Sequence, residues 1–406
     1  MKTFETADLI LYSKDGCVYV LEKQTLKTIR IKTNIAIERI PDQEIIIDTV
    51  NFFRNTSKEI DDGIRTVYLF PTEKCNLNCL YCANDTSISA VDWDYRLYKN
   101  YIKGYLENIR PRKVIITGGE PTLIHDLEYI AKDIKINIGA RVYLQTNGFG
   151  LNKKGNLKAD LFDNINLSCD HYFNYNAQNI ELHKIVENNS NLTLSYVVYK
   201  RNIDKYYRFV EYAASVDLPI LINHMAPLGK AKRCFNEMLD NKEKIKIAYD
   251  TACIIRKNYC SRTSDFLRYY LYPTKKCGAY GNKITIFNNG DIGICQSTRN
   301  EKYIIGNLFQ KSNFDFTAKM NIIYKNEGYK FMVDEDIYCR NCAYRYFCGG
   351  VCNITKEEMA KDIDEVKEYI YPCEYAKTVV EFNLFHRGNN TFEIPNNFIR
   401  FIDGKL

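Results

Sequence analysis

Short apolar runs recur along the chain, and the way they are spaced divides it into regions. Residues 1–64 read as a small β-rich unit. LILYS, CVYVLEK and TIRIK are β-prone runs, and Lys14-Asp15-Gly16 supplies the turn between the first two. The pattern of IIIDTVNFFRN fits either a helix or a strand. Val67-Tyr68-Leu69-Phe70 then has the look of a buried strand, and it runs directly into a cysteine-rich loop.

From residue 65 to 235 the chain alternates. A helical pattern over 94–109 is followed by strand-like KVIIT, RVYLQT, NINLSC, LTLSYVVY and LPILINHM, with helix-length segments between most of them. Short apolar strands separated by helices imply a parallel sheet with right-handed crossovers, about six repeats here. The expected fold class is therefore α/β, an open or partial barrel of the (β/α)6 kind whose chemistry sits at the C-terminal ends of its strands. Residues 236–270 look helical and charged, which suits a bridge. Residues 271–380 contain ITIFNNGDIGIC, a hairpin pattern with an Asn-Gly turn, and hold most of the remaining cysteines. Residues 381–406 form a tail.

At 406 residues the chain exceeds what one core usually organises. Its net charge of +6 is spread out, with no basic run of the kind that binds nucleic acid. That charge fits a solvated surface, with at most a mild attraction for an acidic peptide. No 18-residue apolar run appears, so no membrane span is expected. The opening MKTFETADLILYSKDGCVYV is not a secretory signal, which points to the cytoplasm. In that compartment fifteen cysteines are more often metal ligands or catalytic groups than disulfides.

Cys75, Cys79 and Cys82 lie in EKCNLNCLYCAN, at the C-terminal end of the first barrel strand. Three thiolates on one tight loop can hold three irons of a [4Fe–4S] cube and leave the fourth without a protein ligand. An open site favours chemistry, by the logic that separates catalytic from structural zinc. A zinc site normally pairs its cysteines as C-x-x-C and needs a fourth ligand.

This spacing, with Tyr81 before the last cysteine, resembles the signature of the radical S-adenosylmethionine (SAM) superfamily. Gly118-Gly119-Glu120-Pro121, after the second strand, is similar to the family's motif for the methionyl amino group of SAM. Glycines let backbone approach a ligand closely, and Glu120 offers an acceptor to its ammonium. Gln145-Thr146-Asn147-Gly148 and Ser168-Cys169-Asp170 end the third and fourth strands, and the resemblance implies that Ser168 and Asp170 hydrogen-bond ribose or substrate. Many relatives have Asp-Gly where this chain has Asp170-His171. Lys200-Arg201-Asn202 and Pro227-Leu228-Gly229 follow the fifth and sixth strands in family-like positions. The mechanism implied is that SAM chelates the open iron, an electron from the cluster cleaves the sulfonium, and a 5′-deoxyadenosyl radical abstracts a substrate hydrogen.

Seven more cysteines, Cys277, Cys295, Cys339, Cys342, Cys348, Cys352 and Cys373, are spaced as in the SPASM extension of radical SAM peptide maturases and anaerobic sulfatase-maturing enzymes. The resemblance implies that Cys277, Cys295 and Cys352 hold one auxiliary cluster, and Cys339, Cys342, Cys348 and Cys373 a second. Cys253 or Cys260 could complete the first, or its last position could stay open. Cys17, Cys169 and Cys234 read as small buried hydrophobes, and His125, His183, His224 and His386 have no metal-like spacing.

The reading as a whole is a radical SAM partial barrel with an N-terminal β-rich unit and a C-terminal SPASM domain. Its cofactors are SAM and three [4Fe–4S] clusters. Its implied partners are a precursor peptide and an electron donor such as a flavodoxin or ferredoxin. The implied reaction is thioether or carbon–carbon crosslinking. Formylglycine formation on a sulfatase and a non-catalytic, metal-stabilised interaction protein are the alternatives. The N-terminal unit suits either capture of a leader peptide by strand addition or a cap on the barrel. No residue is assigned as the acid or base.

Overall fold

The computed structural model describes residues 1–56, 64–84, 92–151, 158–173, 180–258, 260–275, 277, 279, 281–310, 332–359, 367 and 369–404. Strands β1 (Lys2–Glu5), β2 (Leu9–Lys14), β3 (Cys17–Glu22) and β4 (Thr28–Lys32) form an antiparallel sheet in chain order. Lys14 pairs with Cys17 across Asp15 and Gly16, whose φ values of 50° and 72° suit the tight two-residue hairpin. IIIDTVNFFRN is helical, within Glu44–Thr56, and lays Ile46 and Val50 against Leu9, Leu11, Val18 and Val20. The alternate residues Ile10, Tyr12 and Leu21 face the other way, and they pack on Tyr346, Phe347 and Val380. Period-two alternation thus gives this small sheet two apolar faces, one for its own helix and one for the C-terminal cysteine segment.

The parallel strands β5 (Thr66–Leu69), β6 (Lys113–Ile116), β7 (Arg141–Thr146), β8 (Asn164–Ser168), β9 (Leu192–Val198) and β10 (Ile220–His224) also lie side by side in chain order. Val67, Leu69, Val114, Ile116, Val142, Leu144, Ile165 and Leu167 are fully buried in the main core. Helix Ile203–Ser215 joins that core through Tyr206, Phe209, Val210 and Ala213. The intervening positions are mixed in character: Tyr68, Ile115, Tyr143, Gln145, Asn166 and Thr193 line a cavity of about 510 Å³. One face of the sheet is therefore built for helices and the other for solvent or ligand.

The sheet continues beyond six strands. β11 (Lys283–Ile286) pairs in parallel with β5, Val67 opposite Ile284, and turns through Gly290 (φ 85°) into β12 (Asp291–Gly293) and then β13 (Ile304–Asn307). The expected hairpin forms, but as the continuation of a nine-stranded sheet that crosses the break read at residue 271. Within the helical bridge read over 236–270 the long helix is Asn241–Asn258. Beyond it Ser261 donates to Asp217 and Thr263 to the Leu218 carbonyl, side-chain bonds that compete with a helical path. Among the described residues no helix is long and apolar enough to cross a membrane.

Candidate functional site

The loop after β5 carries Cys75, Cys79 and Cys82, all partly exposed. Its shape is set by contacts from several strand ends. The Leu77 N–H donates to Cys75 Sγ at 3.4 Å, and Asn147, at the end of β7, donates through Nδ2 to Asn76 Oδ1 at 2.8 Å. Lys230, beyond β10, reaches Asn78 at 2.6 Å through Nζ, while its N–H donates to the Cys82 carbonyl at 3.0 Å. Gly229 makes this approach feasible: its φ is 54°, and a Cβ there would sit 2.5 Å from the carbonyl oxygens of Cys82 and Ala83.

The Gly-Gly-Glu-Pro turn after β6 also presses on this loop. A Cβ on Gly118 would lie 2.4 Å from the Thr72 carbonyl, and one on Gly119 2.1 Å from that of Lys74. These glycines make room for the protein's own backbone, not only for a ligand as the sequence suggested. Glu120 is 2% exposed, and its carboxylate accepts from the Thr122 N–H and hydroxyl, from the Thr146 hydroxyl (2.6 Å) and from the Asn147 N–H (2.8 Å). It staples the turn to the end of β7, and a ligand ammonium would share those oxygens with four donors. Pro121 opens the short helical turn that follows.

Ser168 ends β8 half-buried, and Asp170 lies just beyond, buried. The Val197 N–H donates to Asp170 at 2.8 Å, and Tyr81, from the cysteine loop, bridges Asp170 and Cys79. Burial pushes the Asp170 carboxyl up to about 7 despite these donors. Burial likewise raises Cys79, to about 11, and Cys75. Iron would reverse this, since coordination deprotonates a thiol outright.

The donor set fits a cubane site. Cys79 feels charge from both Cys82 and Cys75. Among the described residues no three His, Cys, Asp or Glu side chains converge on a point that a single metal ion would occupy. Cubane thiolates have no need to converge, because each binds its own iron.

Burial and mutual charge act on the C-terminal thiols. Cys295 is raised by burial, with charge on Cys277 and Cys352 also acting on it. Lys283, at the start of β11, belongs to the same group: burial opposes its ammonium, yet charge on Cys295, Cys277, Tyr68 and Cys352 holds it above the usual value. Cys339, pushed by burial to about 12, feels Asp336, Cys348 and Cys373. Cys348, pushed to about 11, feels Cys373 and Cys342. Burial raises Cys253 and Cys260, with charge from Arg256 acting on the first and from Asp217 on the second.

Sequence reasoning passed over Lys283, and named Asn147 and His171 only as members of strand-end patterns, with no role of their own. His171 is stacked on Phe149, its Nε2 is buried without a hydrogen-bond partner among the described residues, and burial lowers its imidazole to about 4. Its place directly after Asp170 was the available signal. Cys17 accepts from Arg30 Nε at 3.0 Å, and Cys169 is fully buried.

Residues 69–241 match the family described as the Radical SAM superfamily. The chain is 23% identical over 287 residues to a probable GTP 3′,8-cyclase of Metallosphaera sedula, covering 64% of this chain and 88% of that one. Its fold is similar to that of native anSMEcpe with bound AdoMet, with a TM-score of 0.55 at 16% identity over 83% of this chain and 99% of that one. It is also similar to Streptococcus suis SuiB bound to precursor peptide SuiA, with a TM-score of 0.52 at 15% identity over 92% and 99%.

Proposed function

We propose that this chain, a radical SAM enzyme through the domain at residues 69–241, modifies a peptide by thioether or carbon–carbon crosslinking, with one SAM-binding and two auxiliary [4Fe–4S] clusters. The observation that carries the reading is the sorting of the C-terminal thiols. Charge on Cys277 and Cys352 acts on both Cys295 and Lys283, whereas Cys339 and Cys348 feel Cys373, with Cys342 also acting on Cys348. Two further cluster sites beside a catalytic one exceed what a single electron transfer requires, and they suit oxidation of a bound peptide.

When bound, the loop cluster and SAM would supply a hydrogen-abstracting radical. The protein's own part is positional. Cys75, Cys79 and Cys82 hold the cluster. Gly118, Gly119, Glu120 and Pro121 fix the turn beside it, and Ser168 and Asp170 offer polar groups at the end of β8. The edge strand β4 has only β3 as a described neighbour, which supports strand addition as the way a leader segment docks. A flavodoxin or ferredoxin would deliver the electron.

The test is anaerobic reconstitution followed by incubation with SAM, a reductant and the short peptides encoded beside the gene. The expected results are about 12 irons per chain and a peptide lighter by about two hydrogens per crosslink. Turnover of GTP or of a sulfatase-motif peptide, with every neighbouring peptide unchanged in mass, would overturn the reading.

A further inference from the structure

A cavity of about 260 Å³ opens beyond the C-terminal end of β10, between that strand end, the first turn of helix Asn241–Asn258 and the C-terminal segment. His224, Met225, Lys244, Cys352, Tyr369 and Tyr375 are among its walls. It adjoins the cysteine loop: Tyr369 packs in one apolar cluster with Met225, Leu80 and Tyr81. It also adjoins the first auxiliary group through Cys352. A substrate held here would lie between the two centres assigned above.

Lys244 is the unusual wall. It is 5% exposed, and its Nζ donates to the Tyr369 carbonyl at 2.9 Å. An ammonium has three donors, so two remain. Among the described residues it forms no ion pair. Its acidic neighbours are engaged elsewhere, Glu243 with Lys200 at 3.6 Å and Asp240 with the Glu243 N–H at 2.7 Å. Burial lowers the Lys244 ammonium to about 8, while Asp240 and Glu243 recover part of that loss. Burying a charge without a counter-ion is costly, and a protein that does so beside a cavity leaves a place for an anion.

A second polar wall, His224, is electrically silent. Burial, with the charge of Lys244, lowers His224 to about 3, so its imidazole stays neutral and can offer one N–H alongside the ammonium. Its ring lies edge-on to Tyr375, with centroids 5.2 Å apart, which fixes its orientation. The cavity is below the roughly 300–1,000 Å³ typical of whole small-molecule sites. It suits one side chain better than a nucleotide.

We infer that this cavity receives a carboxylate of the substrate, an acidic side chain of the peptide, with Lys244 as its counter-ion and His224 as a neutral donor. The inference rests on the peptide reading above and adds a specificity to it: an Asp or Glu close to the modified residue.

The test uses the full chain with its clusters loaded, and two probes of equal shape, N-acetylglutamate methylamide and its glutamine counterpart. The expected result is that the acid binds the wild type at least ten-fold more tightly by calorimetry or ligand-observed NMR, and that Lys244→Met abolishes the difference. A measurement on the wild type alone guards against a variant that fails to fold. The acid, and not the amide, should slow the reaction of Lys244 with trinitrobenzenesulfonate, read by peptide mass spectrometry. Equal binding of acid and amide, or equal protection of Lys244, overturns the inference and leaves the peptide reading standing. Turnover of GTP with no peptide changed overturns the peptide reading itself.

Discussion

Arg345 Nη2 lies 2.6 Å from Glu5 Oε1, joining the first strand of the chain to the segment that carries Cys339, Cys342 and Cys348. The guanidinium is 5% exposed and also donates through Nε to Asp334 at 2.8 Å. Nearby, the Tyr12 hydroxyl donates to the Ala343 carbonyl at 2.5 Å, and Lys14 pairs with Glu381 at 2.9 Å. The N-terminal sheet is thus docked on the C-terminal cysteine segment. Removing one partner of such a pair leaves the other charge uncompensated. Because Glu5 is about one-third exposed, Arg345→Met should cost about 1–3 kcal/mol rather than the full penalty of a buried pair. Chemical denaturation would measure this, and a loss confined to residues 1–56 by hydrogen exchange would show that the docking was severed.

Gly229→Ala should impair the catalytic loop without touching a thiol. Its Cβ would collide with the Cys82 and Ala83 carbonyls in a left-handed backbone conformation, so the loop or the segment after β10 must move. The expected outcome is a loss of about one cluster's iron, roughly four atoms, with 5′-deoxyadenosine production reduced at least ten-fold. Wild-type iron content and SAM cleavage would count against this role for the glycine.

Cys79→Ala and Cys348→Ala should separate the two kinds of centre. The first is expected to abolish SAM cleavage while the auxiliary iron remains. The second is expected to loosen residues 332–359, because metal binding and folding are coupled there. Iron analysis, a 5′-deoxyadenosine assay and limited proteolysis would tell them apart, and identical behaviour of the two variants would argue against the division.

Asp133 sets an acid limit on stability. Burial opposes its ionisation, but Lys103 at 2.8 Å, Asn137 at 2.6 Å and the Tyr98 hydroxyl at 3.0 Å hold its carboxyl below the ordinary value. A depressed folded-state value means that the ionised form stabilises the fold above the unfolded-state pKa, and that this contribution is lost as pH falls through the folded value. Asp133→Asn should therefore destabilise the protein at neutral pH and flatten the decline below about pH 4, where the carboxylate's unfolded value lies. Parallel wild-type and mutant stability curves from pH 7 to 3 would contradict this.

Much of this was legible because it is local. The six parallel strands follow from short apolar runs, and Cys75, Cys79, Cys82 and the strand-end motifs sit within single loops. What escaped is assembled from distant segments. Nothing in ITIFNNGDIGIC says that its first strand will pair with β5. Lys244 and Lys283 go unremarked in the sequence, and only the fold brings His224 and Tyr369 to the first and the charge of the C-terminal thiols to the second. Gly118 and Gly119 were read as room for a ligand, and only the fold reveals the carbonyls of Thr72 and Lys74 against them.

The pairing of β11 with β5 also has a consequence for biosynthesis. As the nascent chain leaves the ribosome, β5 must wait for more than half of the remaining protein before its second neighbour is made. Until then it is an uncovered edge, the kind of surface that recruits other chains. A product truncated just before residue 283 should therefore aggregate, even though it retains all six strands of the barrel.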